Sequence, residues 1–380
     1  MRNRLRIIVF VSSLSAGGAE RVAVRLSEVF HQAEYDVCLL TLSGTEADFY
    51  QVAPGVTRIG LDRAGASGGL ITAVRNNLGR LLAFRRAVTT YRPDVVLALA
   101  DRSNVLMLLA TIGMRCGKVI SERSNPAAEW QPLTWRLLRR LAYPTAHLHV
   151  AQSGHVARWM ADRFRGLRNV VIGNSAGPAV SDRRDRDEAA GRLVRLVSVG
   201  RLSREKGVDL LIDAFADVRL REAEVQLTIV GDGPERGNLE AQAHAMGQGQ
   251  RVHFAGAVQD VFPALAEADG FVLPSRYEGF PNAMIEAMAV GLPVIVARCP
   301  GGTSDVLGEK LDRYGLEFSP GDAAGLVTAI DRFLRSPDLR RRLAAAALER
   351  SDDYSSEKIA AAWIEAIEGV ARRSSAVKAE

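Results

Sequence analysis

Hydrophobic positions along the chain keep two rhythms that alternate. Short continuous apolar runs, opening with Ile7-Ile8-Val9-Phe10-Val11, give way to stretches in which apolar residues recur every three or four positions. The first rhythm predicts buried strands and the second predicts amphipathic helices. Strands are expected over 6–11, 36–41, 94–99, 118–121 and 147–151, with helices over 19–33, 70–91 and 103–113 between them. Strands apolar on both faces imply a parallel sheet covered on both sides, a doubly wound domain. From Ile172 to Gly191 the pattern lapses into small residues and then unpatterned charge, as a linker would. The alternation restarts with strands over 193–199, 226–230, 252–255, 270–273 and 293–297 and helices over 207–219, 234–246, 262–267 and 282–290. Helices rich in Ala and Arg follow over 323–350 and 356–372. The expected fold class is α/β: two Rossmann-like doubly wound domains, 1–175 and 193–355, facing across a cleft and joined by a linker at 176–192. The last helix, within 356–380, is expected to pack back on the first domain. Ligands of such sheets bind at the carboxyl ends of the strands.

A chain of 380 residues, 47% hydrophobic and 24% charged, fits a soluble two-domain protein rather than a disordered or membrane-embedded one. The richest apolar stretch, Val95 to Ile112, is interrupted by Asp101, Arg102 and Asn104, so no spanning segment is expected. Arg2, Arg4 and Arg6 ahead of an apolar run imitate a secretion signal, but a run of only five residues, mostly β-branched and followed by Gly17-Gly18, reads better as a first strand. Cys38, Cys116 and Cys299 are scattered and lack metal spacing, which suits a reducing cytoplasm. The net charge of +5 conceals a division: residues 1 to 180 carry +11 and the remainder −6. A basic half suits an anionic membrane surface or a phosphorylated substrate. The 6% aromatic content and the absence of a nucleic-acid-binding motif leave nucleic acid an unfavoured partner.

Candidate chemistry gathers at strand-to-helix turns. Gly17 and Gly18 follow the first strand and open a helix, so backbone amides there can approach an anion. No Gly-x-Gly-x-x-Gly fingerprint follows that strand, which argues against a nicotinamide enzyme. In Gly200-Arg201-Leu202-Ser203-Arg204-Glu205-Lys206-Gly207, two cations five residues apart can neutralise a diphosphate as it departs. Gly231-Asp232-Gly233-Pro234-Glu235 forms another such turn. In the segment from Pro274 to Met288, Glu278 falls in a loop and Glu286 about one turn into the next helix. Glu286 can accept hydrogen bonds from a ribose and Glu278 can hold a sugar, while amides from Phe280 to Ala283 remain for phosphate oxygens.

Four ordered motifs make the resemblance specific: Gly-Gly-Ala-Glu-Arg-Val at 17–22, Gly-Arg-Leu-x-x-Glu-Lys-Gly at 200–207, Gly-Asp-Gly-Pro-Glu at 231–235 and Ser-x-x-Glu-Gly-Phe-Pro-Asn-Ala-x-x-Glu-Ala at 275–287. With Gly-Leu-Pro-Val-Ile at 291–295 and Gly301-Gly302, the chain resembles the retaining glycosyltransferases of family 4 over nearly its whole length. The resemblance implies a GT-B fold, an acceptor-binding first domain, a donor-binding second domain and sugar transfer from a nucleotide diphosphate without a metal or other cofactor. It places Arg201 and Lys206 on the donor pyrophosphate and Glu286 on the ribose. Glu278, Phe280, Pro281, Asn282 and Ala283 fall to the sugar and phosphate, Val258 to the edge of the base, and Gly17 and Gly18 to the phosphates from the other domain. Many members carry a histidine after the strand that here ends Ile120-Ser121; this chain has Ser121-Glu122-Arg123-Ser124-Asn125-Pro126 instead. That segment resembles enzymes building bacterial surface polysaccharide or glycan on lipid carriers, N-acetylgalactosamine transferases among them, and sets Glu122 and Arg123 on the acceptor side.

Other constellations point to ordinary structure. Asp185-Arg186-Asp187 mimics a metal-binding pair but lies in the linker, and His147 and His149 lack a third ligand nearby. Ser153 lacks a nucleophile elbow. From Trp130 to Tyr143, leucines alternate with Arg136, Arg139 and Arg140 at helical spacing, as on a helix lying on anionic lipid. These features lead to the expectation of a cytoplasmic enzyme, peripheral on the inner face of the membrane, that moves a sugar from a UDP-sugar to a lipid-diphosphate-linked glycan with retention. A nucleotide-sugar epimerase and a non-catalytic nucleotide-sugar-binding protein are the alternatives.

Overall fold

A computed structural model describes residues 4–46, 48–65, 70–123, 132–177, 193–217, 220, 223–299, 301–310 and 312–379. Trp130, the Ser124-Asn125-Pro126 segment, Asp185 and Asp187 lie outside these residues, as does most of the expected linker. The chain forms two compact units, Met1–Gly173 with Ile359–Glu380, and Asn174–Lys358.

The first unit is built on β1 (Arg6–Val11), β2 (Asp36–Thr41), β3 (Thr57–Gly60), β4 (Val95–Leu99), β5 (Gly117–Ser121), β6 (Leu148–Ala151) and β7 (Asn169–Val171). They pair in parallel in the order β3-β2-β1-β4-β5-β6-β7. Alternate residues of β1 feed opposite cores, as a pleated strand requires. Ile7, Val9 and Val11 pack with Ala23, Leu26 and Phe30 of α1 (Gly18–Gln32), whereas Ile8 and Phe10 pack with Phe84 and Val88 of α2 (Leu70–Tyr91). Helices α3 (Asp101–Ala110), α4 (Leu133–Ala142) and α5 (Gly154–Arg163) complete the cover. Ser153, set aside as a nucleophile, caps α5 by accepting the Val156 N–H at 3.3 Å.

The second unit contains β8 (Val194–Val199), β9 (Val225–Val230), β10 (Val252–Gly256), β11 (Gly270–Leu273), β12 (Val294–Ala297) and β13 (Leu316–Phe318), all parallel in the order β10-β9-β8-β11-β12-β13. Helices α6 (Val208–Ala216), α7 (Arg236–Ala245), α8 (Phe262–Glu267), α9 (Asn282–Ala289) and α10 (Thr303–Leu307) connect them. Next come α11 (Ala323–Arg335), α12 (Pro337–Ser351) and α13 (Ser356–Ala379). Trp363, Ile367 and Val370 repeat on one face of α13 and enter the core beside α1 in the first unit.

The structure corrects the elements at two kinds of place. The helix expected over 323–350 is two helices, because Pro337 has no N–H to continue the first; it starts the second, and Ser336 Oγ caps it at Leu339 N. Strands β3, β7 and β13 escaped the apolar pattern, and all three lie at sheet edges, where a short strand needs fewer buried residues. In each sheet the strand order reverses once, between β1 and β4 and between β8 and β11. Loops leaving the carboxyl ends of such a pair diverge and leave a crevice between them.

Candidate active site

In the second unit, the crevice lies between the loop after β8, which carries Arg201 and Lys206, and the loop after β11, which carries Glu278. Lys206 Nζ donates to Glu278 Oε1 at 2.7 Å, and Ser275 Oγ donates to the same oxygen at 2.7 Å. The lysine side chain is 26% exposed and the glutamate 5%, so the ammonium sits at the mouth and the carboxylate beneath it. Arg201 is exposed, and its guanidinium makes no hydrogen bond or ion pair among the described residues.

Glycines let the loops approach this closely. Gly207 ends the short turn Arg204–Lys206 at φ +67, and a Cβ there would stand 2.1 Å from the Pro274 carbonyl oxygen. Gly302 abuts Glu278, where a Cβ would come within 2.4 Å of the glutamate's own Cβ. Arg276 ties the loops from the other side. Its guanidinium donates to both Asp209 carboxylate oxygens at 2.8 and 2.6 Å and to the Arg204 carbonyl at 2.7 Å, and its N–H donates to the Glu205 carbonyl at 2.8 Å. That pairing holds the Asp209 carboxyl below its ordinary pKa. Cys299 lies under the cluster, its thiol donating to the Ser275 carbonyl. Burial, reinforced by Glu278, pushes this thiol up to about 12, which makes it packing rather than a nucleophile.

Helix α9 starts at the end of the same loop. Pro281 occupies the position before it, and Asn282 Oδ1 accepts from Asn174 Nδ2 at 2.6 Å. Phe280 is buried against the edge of Tyr354, 5.9 Å between ring centres, and Ala283 is half-buried. Glu286 is buried one turn into the helix. Val258 is exposed after β10, two strands from β8, which is about 10 Å away along the sheet edge. The structure therefore brings Lys206 and Glu278 into contact and sets Arg201, Asn282 and Val258 on the same edge, with Glu286 inside the fold.

At the carboxyl edge of the first unit, Gly17 precedes α1 and its carbonyl accepts from Tyr50 Oη at 3.2 Å; Gly18, the first helical residue, is exposed. Across the switch point, Ser12 Oγ and Ser103 Oγ are 3.1 Å apart. Ala100, after β4, holds φ +74 and ψ 153, a conformation that strains any residue but glycine. Glu122, set on the acceptor side by the resemblance, is buried after β5. Arg139 Nη2 and Tyr143 Oη donate to its Oε1 at 2.8 and 2.5 Å, and the Arg139 guanidinium lies over the Tyr143 and Trp159 rings. At 1% exposure it is an internal strut, because ionised Glu122 is stable there only with its cation in place. Arg123 is half-buried, with Nη1 3.5 Å from Ser121 Oγ.

Residues 16–175 match the family profile described as Glycosyltransferase Family 4, and residues 182–350 match that of Glycosyl transferases group 1. The chain belongs to the family 4 glycosyltransferases. Over 365 residues it is 26% identical to an α-1,4-N-acetyl-D-galactosaminyltransferase of Campylobacter jejuni named for a PP-undecaprenol-linked glycan, covering 96% of this chain and 98% of that one. It is 26% identical to the amylovoran biosynthesis glycosyltransferase AmsD of Erwinia amylovora, over 94% and 98% of the two chains. Among solved structures, sucrose-phosphate synthase from Thermosynechococcus elongatus superimposes with a TM-score of 0.82 at 21% identity, covering 97% and 99%. HepE of Anabaena, in complex with UDP and glucose, superimposes with a TM-score of 0.78 at 20% identity, covering 96% and 100%. The fold is GT-B.

Sequence reasoning missed several residues that position this glycosyltransferase's cluster. Ser275, Arg276, Asp209 and Cys299 gave no signal alone; Ser275 stands inside the 275–287 motif, and its spacing of three from Glu278 was the one available hint. His149, weighed as a metal ligand, is a core residue: its Nδ1 is 2.6 Å from Asn169 Oδ1, and burial lowers its pKa to about 4.

Proposed function

We propose that this glycosyltransferase moves a hexose, N-acetylgalactosamine being the first candidate, from a UDP-sugar to a lipid-diphosphate-linked glycan with retention at the anomeric carbon. The observation that carries the reading is the partly exposed Lys206 side chain against buried Glu278, on a loop that also carries exposed Arg201, at the switch point of the second sheet. Positive groups fixed in that crevice stabilise the diphosphate more as its charge grows, which lowers the barrier to departure. The bond from sugar C1 to the diphosphate oxygen breaks, Arg201 and Lys206 take up the negative charge, and the acceptor hydroxyl attacks the same face. Its proton passes to a leaving phosphate oxygen. Glu278 orients Lys206 and the sugar, the amides of α9 meet the phosphates, and no metal is needed.

The acceptor class is supported by the printed substrate of the Campylobacter relative and by one surface of the first unit. Helix α4 exposes Leu133 (77%), Leu137, Leu138 and Leu141, with Arg136 and Arg140 beside them. Helix α2 adds exposed Val74, Leu78 and Leu82. No described helix is long and apolar enough to cross a membrane. An apolar stripe edged by arginines suits a helix lying at an anionic membrane surface, on the cytoplasmic face where the lipid-linked acceptor would be met.

The test is incubation with a panel of UDP-, GDP- and ADP-sugars and lipid-diphosphate acceptors, following nucleotide release, product mass and the anomeric proton coupling. Acceptor-dependent UDP release, an α-linked product and activity that survives EDTA are expected. Interconversion of the sugar without acceptor would indicate an epimerase, and binding without turnover on any acceptor would reduce the protein to a binder. Replacing Leu133, Leu137 and Leu141 by Ser is expected to abolish flotation with anionic vesicles while turnover on a soluble acceptor analogue persists.

A further inference from the structure

The opposite edge of the first unit's sheet carries a second concentration of positive charge. Strands β5, β6 and β7 begin there side by side, and basic residues stand at each start: Arg115 and Lys118 about β5, His147 before β6 and Arg168 before β7. Arg373 of α13 joins them around a cavity of ≈ 390 Å³, whose apolar lining includes Met114, Cys116 and Val370. Among the described residues, no carboxylate lines it. Two other basic side chains of this unit, Arg6 and Arg58, are each matched to an acid, Asp36 and Asp48. Here the Arg115 and Arg168 guanidinium groups and the Lys118 ammonium have no hydrogen-bonding or ion-pair partner among the described residues, although Lys118 is buried. Like charges gathered round one cavity repel one another, and an anion bound among them relieves that cost.

The histidine is set as a donor. Its Nδ1 accepts the Lys118 backbone N–H at 3.0 Å, which leaves Nε2 to carry the ring proton. Burial and the Lys118 charge hold the ring below its ordinary pKa, so it is neutral at pH 7. Exposed Arg115 and Arg168, Lys118, a further arginine on α13 and a neutral N–H donor form an array for several anionic oxygens, and the volume admits a small organic group as well.

We propose that this cavity binds a phosphate monoester or diphosphate, at a site separate from the β8–β11 crevice. The phosphate belongs either to a soluble metabolite or to a lipid headgroup. The site lies at the amino ends of β5, β6 and β7 whether or not the crevice transfers a sugar.

Because the crevice is itself proposed to hold a diphosphate, the test uses the full chain with Arg201→Ala and Lys206→Ala. Inorganic pyrophosphate is titrated into it by calorimetry, with and without added Arg115→Gln and Arg168→Gln. Binding at one equivalent, weakened about tenfold or more by the second pair and by raised salt, is expected for a soluble ligand. For a lipid headgroup, pyrophosphate binds weakly or not at all. Flotation with phosphatidylglycerol vesicles, and not phosphatidylcholine vesicles, then falls with the same two substitutions. If a variant fails to fold, hydrogen exchange on the unmodified protein replaces it: amides at 115–118 and 147–149 gain protection with either probe. Absence of pyrophosphate binding, of anionic-vesicle dependence on Arg115 and Arg168, and of that protection overturns the proposal.

Discussion

At the carboxyl edge of each sheet a carboxylate meets a cation, and the two pairs differ in what surrounds them. Glu122 and Arg139 in the first unit are 1% and 5% exposed, and the arginine is enclosed by the Tyr143 and Trp159 rings. Glu278 in the second unit is equally deep, but its partner Lys206 reaches solvent. The chemistry at a strand end thus says less about function than the side on which the cation lies. A sealed pair organises the fold, whereas a pair open at its positive end can exchange one anionic partner for another. Arginine suits the first role because its planar fork is satisfied from several directions, and lysine the second because its point charge moves on a flexible stem.

The largest effect expected from breaking this comparison lies in the sealed pair. Arg139→Ala takes the cation away from buried Glu122, and should cost about 3–5 kcal/mol of stability in urea melts with turnover per folded molecule little changed. Lys206→Ala should do the reverse, lowering kcat about 100- to 1,000-fold, a range typical for loss of one group that stabilises transition-state charge. Lys206→Arg, which keeps the charge but not the reach, should recover part of it. If Arg139→Ala lowered kcat as steeply as Lys206→Ala without loss of stability, the distinction between strut and catalytic cation would fall.

Much of this site was legible because each motif sits in a loop directly after an apolar run, so Arg201, Lys206 and Glu278 were assigned to strand ends from local pattern alone. What the pattern lacked was the order of the strands. Lys206 and Glu278 are 72 positions apart and touch because β11, rather than β9, flanks β8 on that side. Edge strands such as Thr57–Gly60, with an arginine at its second position, and Leu316–Phe318, with a glutamate at its centre, were invisible because one flank of each bears no neighbour and the apolar run is short. The resemblance set Glu122 on the acceptor side, and its pairing with Arg139, on a helix seventeen residues away, was beyond the reach of local pattern.

Gly207→Ala tests whether closeness of the two loops, rather than the residues alone, makes the open pair. The left-handed φ and the contact with Pro274 should together destabilise the protein by more than about 1 kcal/mol. Turnover should fall as well, because the loops bearing Lys206 and Glu278 are pushed apart. An alanine variant with native melting and native kcat would show that the approach is unimportant.

The smallest expected effect comes from the clasp behind the cluster. Arg276 lowers the Asp209 pKa in the folded protein, so the unfolded chain binds the proton more tightly and stability drops as acid is added. The contribution is complete above the ordinary carboxylate value of 3.8 and is lost as pH falls through the lower folded value. Both side chains are partly exposed, which keeps the contribution within about 1 kcal/mol. Asp209→Asn should therefore melt slightly below the unmodified protein at pH 7, and the gap should narrow as pH falls below 3.8. A gap that is constant from pH 7 to pH 3 would mean that Asp209 acts through packing or its backbone, and that Lys206 is positioned by the glycine-permitted contact of the loops and not by the ion pair behind them.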